Sequence, residues 1–187
     1  MVMIRTLKCI LAGDGGVGKT SLVRSFMGDM FNKNYLITVG VDVSSKIVEY
    51  PKGKVNFSVN DIAGQPRFES FRSVFFKGAH LALLVFDLTR TQTLRNLDAS
   101  WVPELAQLSN PQEPVHCILV GNKSDLEDFR SISSEEGRQA LTELQNKFKN
   151  LIFLDFIETS ALENRNVDEA FSTLAQAFLD KIGKGMA

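Results

Sequence analysis

Residues 13–20 read GDGGVGKT, and the octet follows directly on an apolar run over residues 7–12 that ends as a buried strand ends. Glycines at 13, 15, 16 and 18 let consecutive backbone N–H groups curl around a polyphosphate, Lys19 reaches toward its β- and γ-phosphates, and Thr20 offers a hydroxyl to Mg²⁺. A helix opening at Gly18, with Leu22, Val23 and Phe26 on its apolar face, brings its positive dipole end to the same place. Strand, glycine-rich loop and helix in immediate succession supply the context that the octet needs; outside it the same residues would read as an ordinary turn. The nucleotide contacts expected from this segment are Gly13, Asp14, Gly15, Gly16, Val17, Gly18, Lys19, Thr20 and Ser21.

Outward from the octet, strand-like runs recur near residues 5–12, 42–50, 54–60, 80–87, 114–120 and 151–157. Helical patterns fill most of the intervals, near 18–27, 67–76, 91–108, 134–148 and 166–182. Only Pro51, Lys52 and Gly53 separate the second and third runs, too few for a parallel crossover, so these two strands form an antiparallel hairpin. The expected fold is α/β, with a six-stranded mixed sheet flanked by about five helices. The last helix has the clearest periodicity, with Val167, Ala170, Phe171, Leu174, Ala177, Phe178 and Ile182 on one face. A single domain spans residues 1–187, with a short disordered tail expected from about 183.

The 21 basic and 22 acidic side chains nearly cancel, leaving a formal charge of −1 and no basic run, which argues against a nucleic-acid partner. Cys9 and Cys117 lie inside apolar runs and fit neither a disulfide framework nor a zinc pattern, so a reducing, cytoplasmic setting is expected. The apolar run near residues 81–86 is too short to span a bilayer. His80 and His116 each adjoin a strand-like run and carry no catalytic expectation.

A phosphate loop alone indicates a nucleoside triphosphate; the base and the reaction are written elsewhere. In DIAGQ, residues 61–65, Asp61 at a strand end is placed to hold Mg²⁺ through water, Gly64 to offer its N–H to a γ-phosphate, and Gln65 to orient an attacking water. In NKSD, residues 122–125, the Asp125 carboxylate suits the N1–H and 2-amino donors of guanine, an arrangement adenine lacks, beside Asn122 and Lys123. After the sixth strand, Ser160 and Ala161 of ETSAL stand where a backbone N–H meets the guanine oxygen.

The order GDGGVGKT, Thr38, DIAGQ, NKSD and TSA, at these spacings, resembles the Ras superfamily of small GTPases over essentially the whole chain. The segments YLITVGVD, FKGAH and LLVFDLT resemble its Rab branch. The resemblance implies the three-layer P-loop NTPase fold and a monomeric switch that binds and slowly hydrolyses GTP to GDP and phosphate with Mg²⁺, in trafficking or signalling. It implies that Thr38 ligates Mg²⁺ and contacts the γ-phosphate, that Phe31 packs against guanine, and that Tyr35 covers the phosphates. It also implies that Lys123 lies along the base and that Gly15 leaves room for Gln65 and an arginine from an activating partner. The metal ligands are then Thr20, Thr38 and Asp61, and the catalytic set is Gln65, Lys19 and Gly64. Effectors, an activator and an exchange factor are expected at the switch regions.

Three departures from the family pattern bear on function. Pro66 stands where a glutamate is usual after the switch glutamine; it lacks an N–H and biases Gln65 toward extended backbone, so hydrolysis is expected to slow, unless Pro66 serves as a benign first-turn residue. The three aromatics typical of a Rab switch surface correspond to Val43, Asn60 and Phe75, and only one is aromatic, while Phe68, Phe71 and Phe75 form an apolar stripe that serves either as partner surface or as core. No cysteine lies near the C-terminal end of this chain, so no prenyl anchor is expected on it as written, and peripheral membrane association is expected only if an anchor lies beyond this sequence or a partner recruits the protein. Pro66 and Asn60 keep open a second reading, a guanine-nucleotide-binding scaffold with negligible hydrolysis.

Overall fold

A computed structural model describes residues 4–28, 38, 40–65 and 69–185. The chain runs β1 (Ile4–Ala12), α1 (Lys19–Met27), β2 (Val41–Tyr50), β3 (Gly53–Ile62), α2 (Glu69–Phe76), β4 (Leu81–Asp87) and α3 (Thr91–Asn96). A single π-turn (Leu97–Trp101) then leads into α4 (Val102–Leu108), β5 (His116–Asn122), a short 3₁₀ turn (Glu127–Phe129), α5 (Ser134–Lys147), β6 (Ile152–Thr159) and α6 (Val167–Gly185). The six strands form one sheet in the order β2-β3-β1-β4-β5-β6.

The expected hairpin is present. β2 pairs antiparallel with β3 from Val41↔Ile62 to Tyr50↔Gly53, whereas the β1–β3, β1–β4, β4–β5 and β5–β6 pairs are all parallel. Both β4 and β5 are buried along their whole length, as strands covered on both faces must be. On one face, Leu22, Val23 and Phe26 of α1 and Val167, Phe171 and Leu174 of α6 pack on Cys9, Leu11, Phe57 and Leu83. Phe26 and Phe171 stack there with centroids 3.8 Å apart, and Phe57 meets both rings edge-on. On the other, Phe76, Leu97, Trp101, Leu105 and Leu144 cover Ile10, Leu84, Phe86 and Leu119. Three layers result, and the parallel strands deliver the loops after β1, β3, β4, β5 and β6 to one edge of the sheet.

Two helices differ from their sequence expectation. The pattern over 91–108 reads as one helix, but the structure inserts the π-turn, because a periodicity near 3.6 is insensitive to one widened turn. α6 continues through Gly185, past the expected end at 182. α5 opens on a capping box in which Ser133 and Glu136 satisfy each other's backbone N–H groups. Cys9 and Cys117 are free, fully buried thiols whose ionisation is pushed up by that burial. No helix among the described residues is long and apolar enough to cross a membrane.

Candidate functional site

The loop between β1 and α1 is held in shape by its own lysine. Lys19, only 6% exposed, donates through Nζ to the Gly13 carbonyl at 2.6 Å and the Asp14 carbonyl at 2.8 Å. Burial drives its pKa down to about 8, although the Asp61 and Asp14 carboxylates act in the opposite sense. A cation in that setting lacks solvent around it, so an incoming anion gains strongly from meeting it. Gly18 is the N-cap of α1 with φ at 102°, and a Cβ there would collide with the Asn122 amide. The Asn122 Nδ2 group instead donates to the Val17 carbonyl at 2.8 Å, which fastens the NKSD segment to the loop.

Beside Lys19, three hydroxyl or carboxylate oxygens converge. Thr20 Oγ1 lies 2.7 Å from Thr38 Oγ1, Thr20 hydrogen-bonds Asp61 Oδ2, and Thr38 donates to the same oxygen at 3.3 Å. Asp61 is 2% exposed and its Oδ1 has no hydrogen-bond partner among the described residues. Burial raises its carboxyl above the usual range, against the hydrogen bond from Thr20 and the charge of Lys19. Hard oxygen donors with an unsatisfied carboxylate oxygen among them are the donor set that Mg²⁺ takes, so these residues fit that ion.

Gly64 follows directly. A Cβ on it would run into the Asp14 carbonyl group and the Gly15 nitrogen, so only glycine lets β3's exit loop approach the phosphate loop this closely. A Cβ on Gly15 would lie 3.8 Å from Gln65 Cγ, which brings the two positions singled out in the sequence into adjacency.

The NKSD and ETSAL segments are brought together by β5 and β6. Thr159 Oγ1 donates to Asn122 Oδ1 at 3.0 Å, and the Ser124 N–H donates to the Thr159 carbonyl at 3.0 Å. Ser160 Oγ donates to Asp125 Oδ1 at 2.6 Å, aligning that carboxylate, and Ala161 is buried in the core cluster next along the chain. Lys123 sits in the left-handed region with φ at 68°, a costly backbone state for a side-chain-bearing residue and one that collects at functional sites.

Several residues of this region were not read from sequence. Asp87, at the end of β4 and fully buried, accepts from Lys123 Nζ at 2.6 Å, from Arg90 Nε at 2.8 Å and from the Thr89 N–H and hydroxyl. Burial alone would raise its carboxyl; the bonds from Lys123, Thr89 and Arg90 outweigh it and hold the group below the ordinary range. Arg90 Nη2 in turn donates to the Gly15 carbonyl at 3.2 Å, so an arginine of this chain does border the phosphate loop. A carboxylate ending an all-apolar strand was the available signal.

Phe31, Tyr35, Pro66 and Phe68 lie outside the described residues, as does the side chain of Phe71. Of the three positions expected on a switch surface, Val43 is 58% exposed and Phe75 is half-buried, but Asn60 is only 6% exposed. That expectation is corrected: Asn60 shares its face of β3 with half-exposed Asn56 and Ser58 but lies toward the buried end of the strand beside Ile62, and its Nδ2 donates to the Ser58 carbonyl at 3.0 Å.

A glycine-rich loop closing on a buried lysine, with a hard-oxygen cluster beside it and a carboxylate-bearing loop across the sheet edge, is the framework of a nucleoside-triphosphate-binding protein. The family model for the Ras family matches residues 8–180. Ras-related protein RABA6b of Arabidopsis thaliana is 40% identical over 167 residues, 89% of this chain and 68% of the relative. Ras-related protein Rab-13 of Rattus norvegicus is 36% identical over 176 residues, 94% of this chain and 81% of the relative. GTP-binding protein ypt2 of Schizosaccharomyces pombe is 36% identical over 170 residues, covering 91% and 80%. The chain belongs to the Ras family. It is a guanine-nucleotide-dependent switch of the Rab-like kind, which binds GTP and hydrolyses it to GDP and phosphate.

Proposed function

We propose that the nucleotide lies along residues 13–21, with Lys19 against the β- and γ-phosphates, Asp125 on the guanine donors, Asn122 and Lys123 framing the base site, and the Ser160–Ala161 backbone at the guanine oxygen. Thr20, Thr38 and Asp61 would hold Mg²⁺, which when bound neutralises charge between the β- and γ-phosphate oxygens. The single observation carrying this reading is the convergence of Thr20, Thr38 and Asp61 beside buried Lys19 and Gly64.

Catalysis is then mostly positioning. Gln65, next to Gly15, orients a water for in-line attack, Gly64 donates its N–H to the γ-phosphate, and Lys19 stabilises the charge that develops on the transferred oxygens. An arginine from an activating protein completes the site and raises the rate by about 10³ to 10⁵, the range known for close relatives of this chain. Phe31 and Tyr35 pack on the base and over the phosphates. The protein acts as a monomer in the cytoplasm, its loops around Thr38 and Gly64 ordered by the γ-phosphate and released on hydrolysis, with effectors and an exchange factor reading that change in intracellular trafficking.

Single-turnover hydrolysis of GTP with Mg²⁺, followed over hours with ATP as control, tests this. Slow, GTP-specific conversion is the expected result. Tight GTP binding without conversion would overturn the catalytic assignment of Gln65 and leave a guanine-nucleotide-binding scaffold.

A further inference from the structure

Trp101 is the chain's only tryptophan, 2% exposed, and it lies between the phosphate-binding loop and the helix that follows the DIAGQ segment. Its indole Nε1 donates to Asp14 Oδ1 at 2.9 Å, while Asn96 Nδ2 donates to the other oxygen of the same carboxylate at 2.6 Å. On an α-helix, residues five apart are rotated by about 140° and cannot share one acceptor. The π-turn at Leu97–Trp101, which closes at i→i+5, turns Asn96 and Trp101 toward one carboxylate. The local irregularity thus has a contact to explain it.

The other side of the joint belongs to α2. The Arg72 guanidinium lies 4.0 Å from the Trp101 ring centre, inside cation–π range, and is fixed there by Glu104 at 3.1 Å and Ser100 at 3.4 Å. Phe76, a turn further along α2, meets the same ring at 6.5 Å, and Lys19 Nζ stands 5.8 Å from it. At the near end of the segment, Gly64 backs directly onto the Asp14 carbonyl group. The DIAGQ–α2 segment therefore touches Asp14 twice, directly through Gly64 and indirectly through Arg72 and Trp101.

We infer that Trp101 is a positioning residue that couples α2 to the phosphate-binding loop, so that the state of the γ-phosphate sensed at Gly64 alters the grip of Asp14 on the nucleotide. The coupling rests on the nucleotide reading above. A displacement of α2 carries Arg72 off the indole ring, loosens the Nε1–H to Asp14 bond, and frees the loop whose carbonyls hold Lys19.

Because the tryptophan is single, its emission reports on this joint alone. The full chain is loaded with GDP or with a non-hydrolysable GTP analogue, as wild type and as Arg72→Met, and its emission is compared between the two states. Wild type should change emission between the two states, and Arg72→Met should lose that change. Release of a fluorescent GDP derivative is then timed for wild type, Trp101→Phe, Arg72→Met and the double variant, each checked by thermal melting. Losing a hydrogen bond to a charged acceptor in Trp101→Phe should speed release about tenfold. Adding Arg72→Met should speed release by a smaller factor than Arg72→Met does in wild type, since the part of its effect that runs through the ring is already gone while its bonds to Glu104 and Ser100 are lost in either background. Identical wild-type emission in the two states, a full emission change in Arg72→Met, or multiplying effects in the double variant would overturn the coupling. Absence of any GDP binding to wild type would instead overturn the nucleotide reading itself.

Discussion

Lys123 Nζ is 2.6 Å from the Oδ2 atom of Asp87; Asp87 ends β4 and Lys123 follows directly on the neighbouring parallel strand β5, so the lysine of the NKSD segment is neutralised from inside the sheet. The same carboxylate carries Arg90, whose guanidinium continues to the Gly15 carbonyl. One buried charge thereby ties the NKSD segment to the glycine-rich loop.

Asp87→Asn leaves Lys123 and Arg90 beside a neutral amide in place of their counter-charge. Asp87 is buried, but the Lys123 and Arg90 side chains are 31% and 45% exposed, so solvent screens the loss to about 1 kcal/mol. The variant should melt at lower temperature than wild type and release GDP faster. Unchanged release kinetics, measured by displacement of a fluorescent nucleotide, would confine Asp87 to a purely structural role.

Asp125→Asn replaces an acceptor matched to the two guanine donors with an amide. Ser160 can still donate to it, so the loop geometry persists. GDP affinity should fall by about 10² or more, with xanthosine diphosphate binding gained, as calorimetric titration of both nucleotides would reveal.

Gly64→Ala places a methyl group against backbone atoms of Asp14 and Gly15, which have no flexible end to yield. The exit loop of β3 must then retreat from the phosphate loop. GTP turnover should drop by about 10²-fold, the scale of one lost transition-state donor, while GDP binding survives. Single-turnover kinetics alongside GDP titration separates the two effects.

Pro66→Glu restores a backbone N–H after the switch glutamine and removes the proline bias on Gln65. Faster single-turnover hydrolysis is expected. Equal rates in the two proteins would mean that Pro66 is a benign first-turn residue.

Acid sensitivity should arise partly at the back of β6. Arg130 grips Glu158 with two bonds, at 3.1 Å and 2.6 Å, and Ser134 adds a third at 2.6 Å. The hydrogen bonds from Arg130, ahead of a smaller opposing effect of burial, hold the Glu158 carboxyl below its ordinary value of 4.5. A carboxyl depressed in the folded state contributes stability above its unfolded pKa and loses it as pH falls through the folded one. Glu158→Gln should cost about 1 kcal/mol at neutral pH, and the difference from wild type should vanish under acid below that range. Urea denaturation of both proteins across pH checks this.

The sequence announced those parts of the site whose chemistry is local. The run of glycines before Lys19, the three-residue gap at Pro51 and the NKSD and TSA segments each act through backbone geometry or strand ends, which neighbouring residues determine. Arg90 and Trp101 are silent because their roles depend on pairings across 75 and 87 residues of chain, which no periodicity encodes, and Asp87 shows only as a carboxylate ending an apolar strand, its partner Lys123 36 residues on. The π-turn was hidden for the opposite reason, being a one-turn change inside a pattern that averages over several. Asn60 corresponds by likeness to a surface position, but it falls in the last four residues of β3, all of which are buried.

Five mutually parallel strands also give the molecule two unequal poles. At the pole away from the nucleotide loops lie the exposed Pro51–Lys52 turn and the exposed turn over residues 110–113, which enters β5. Neither contributes a side chain to the phosphate loop, the oxygen cluster or the base-reading segments. Chain length is therefore free to drift at that pole, and an inserted loop or reporter domain there has a scaffold to stand on that leaves the chemistry at the other end undisturbed.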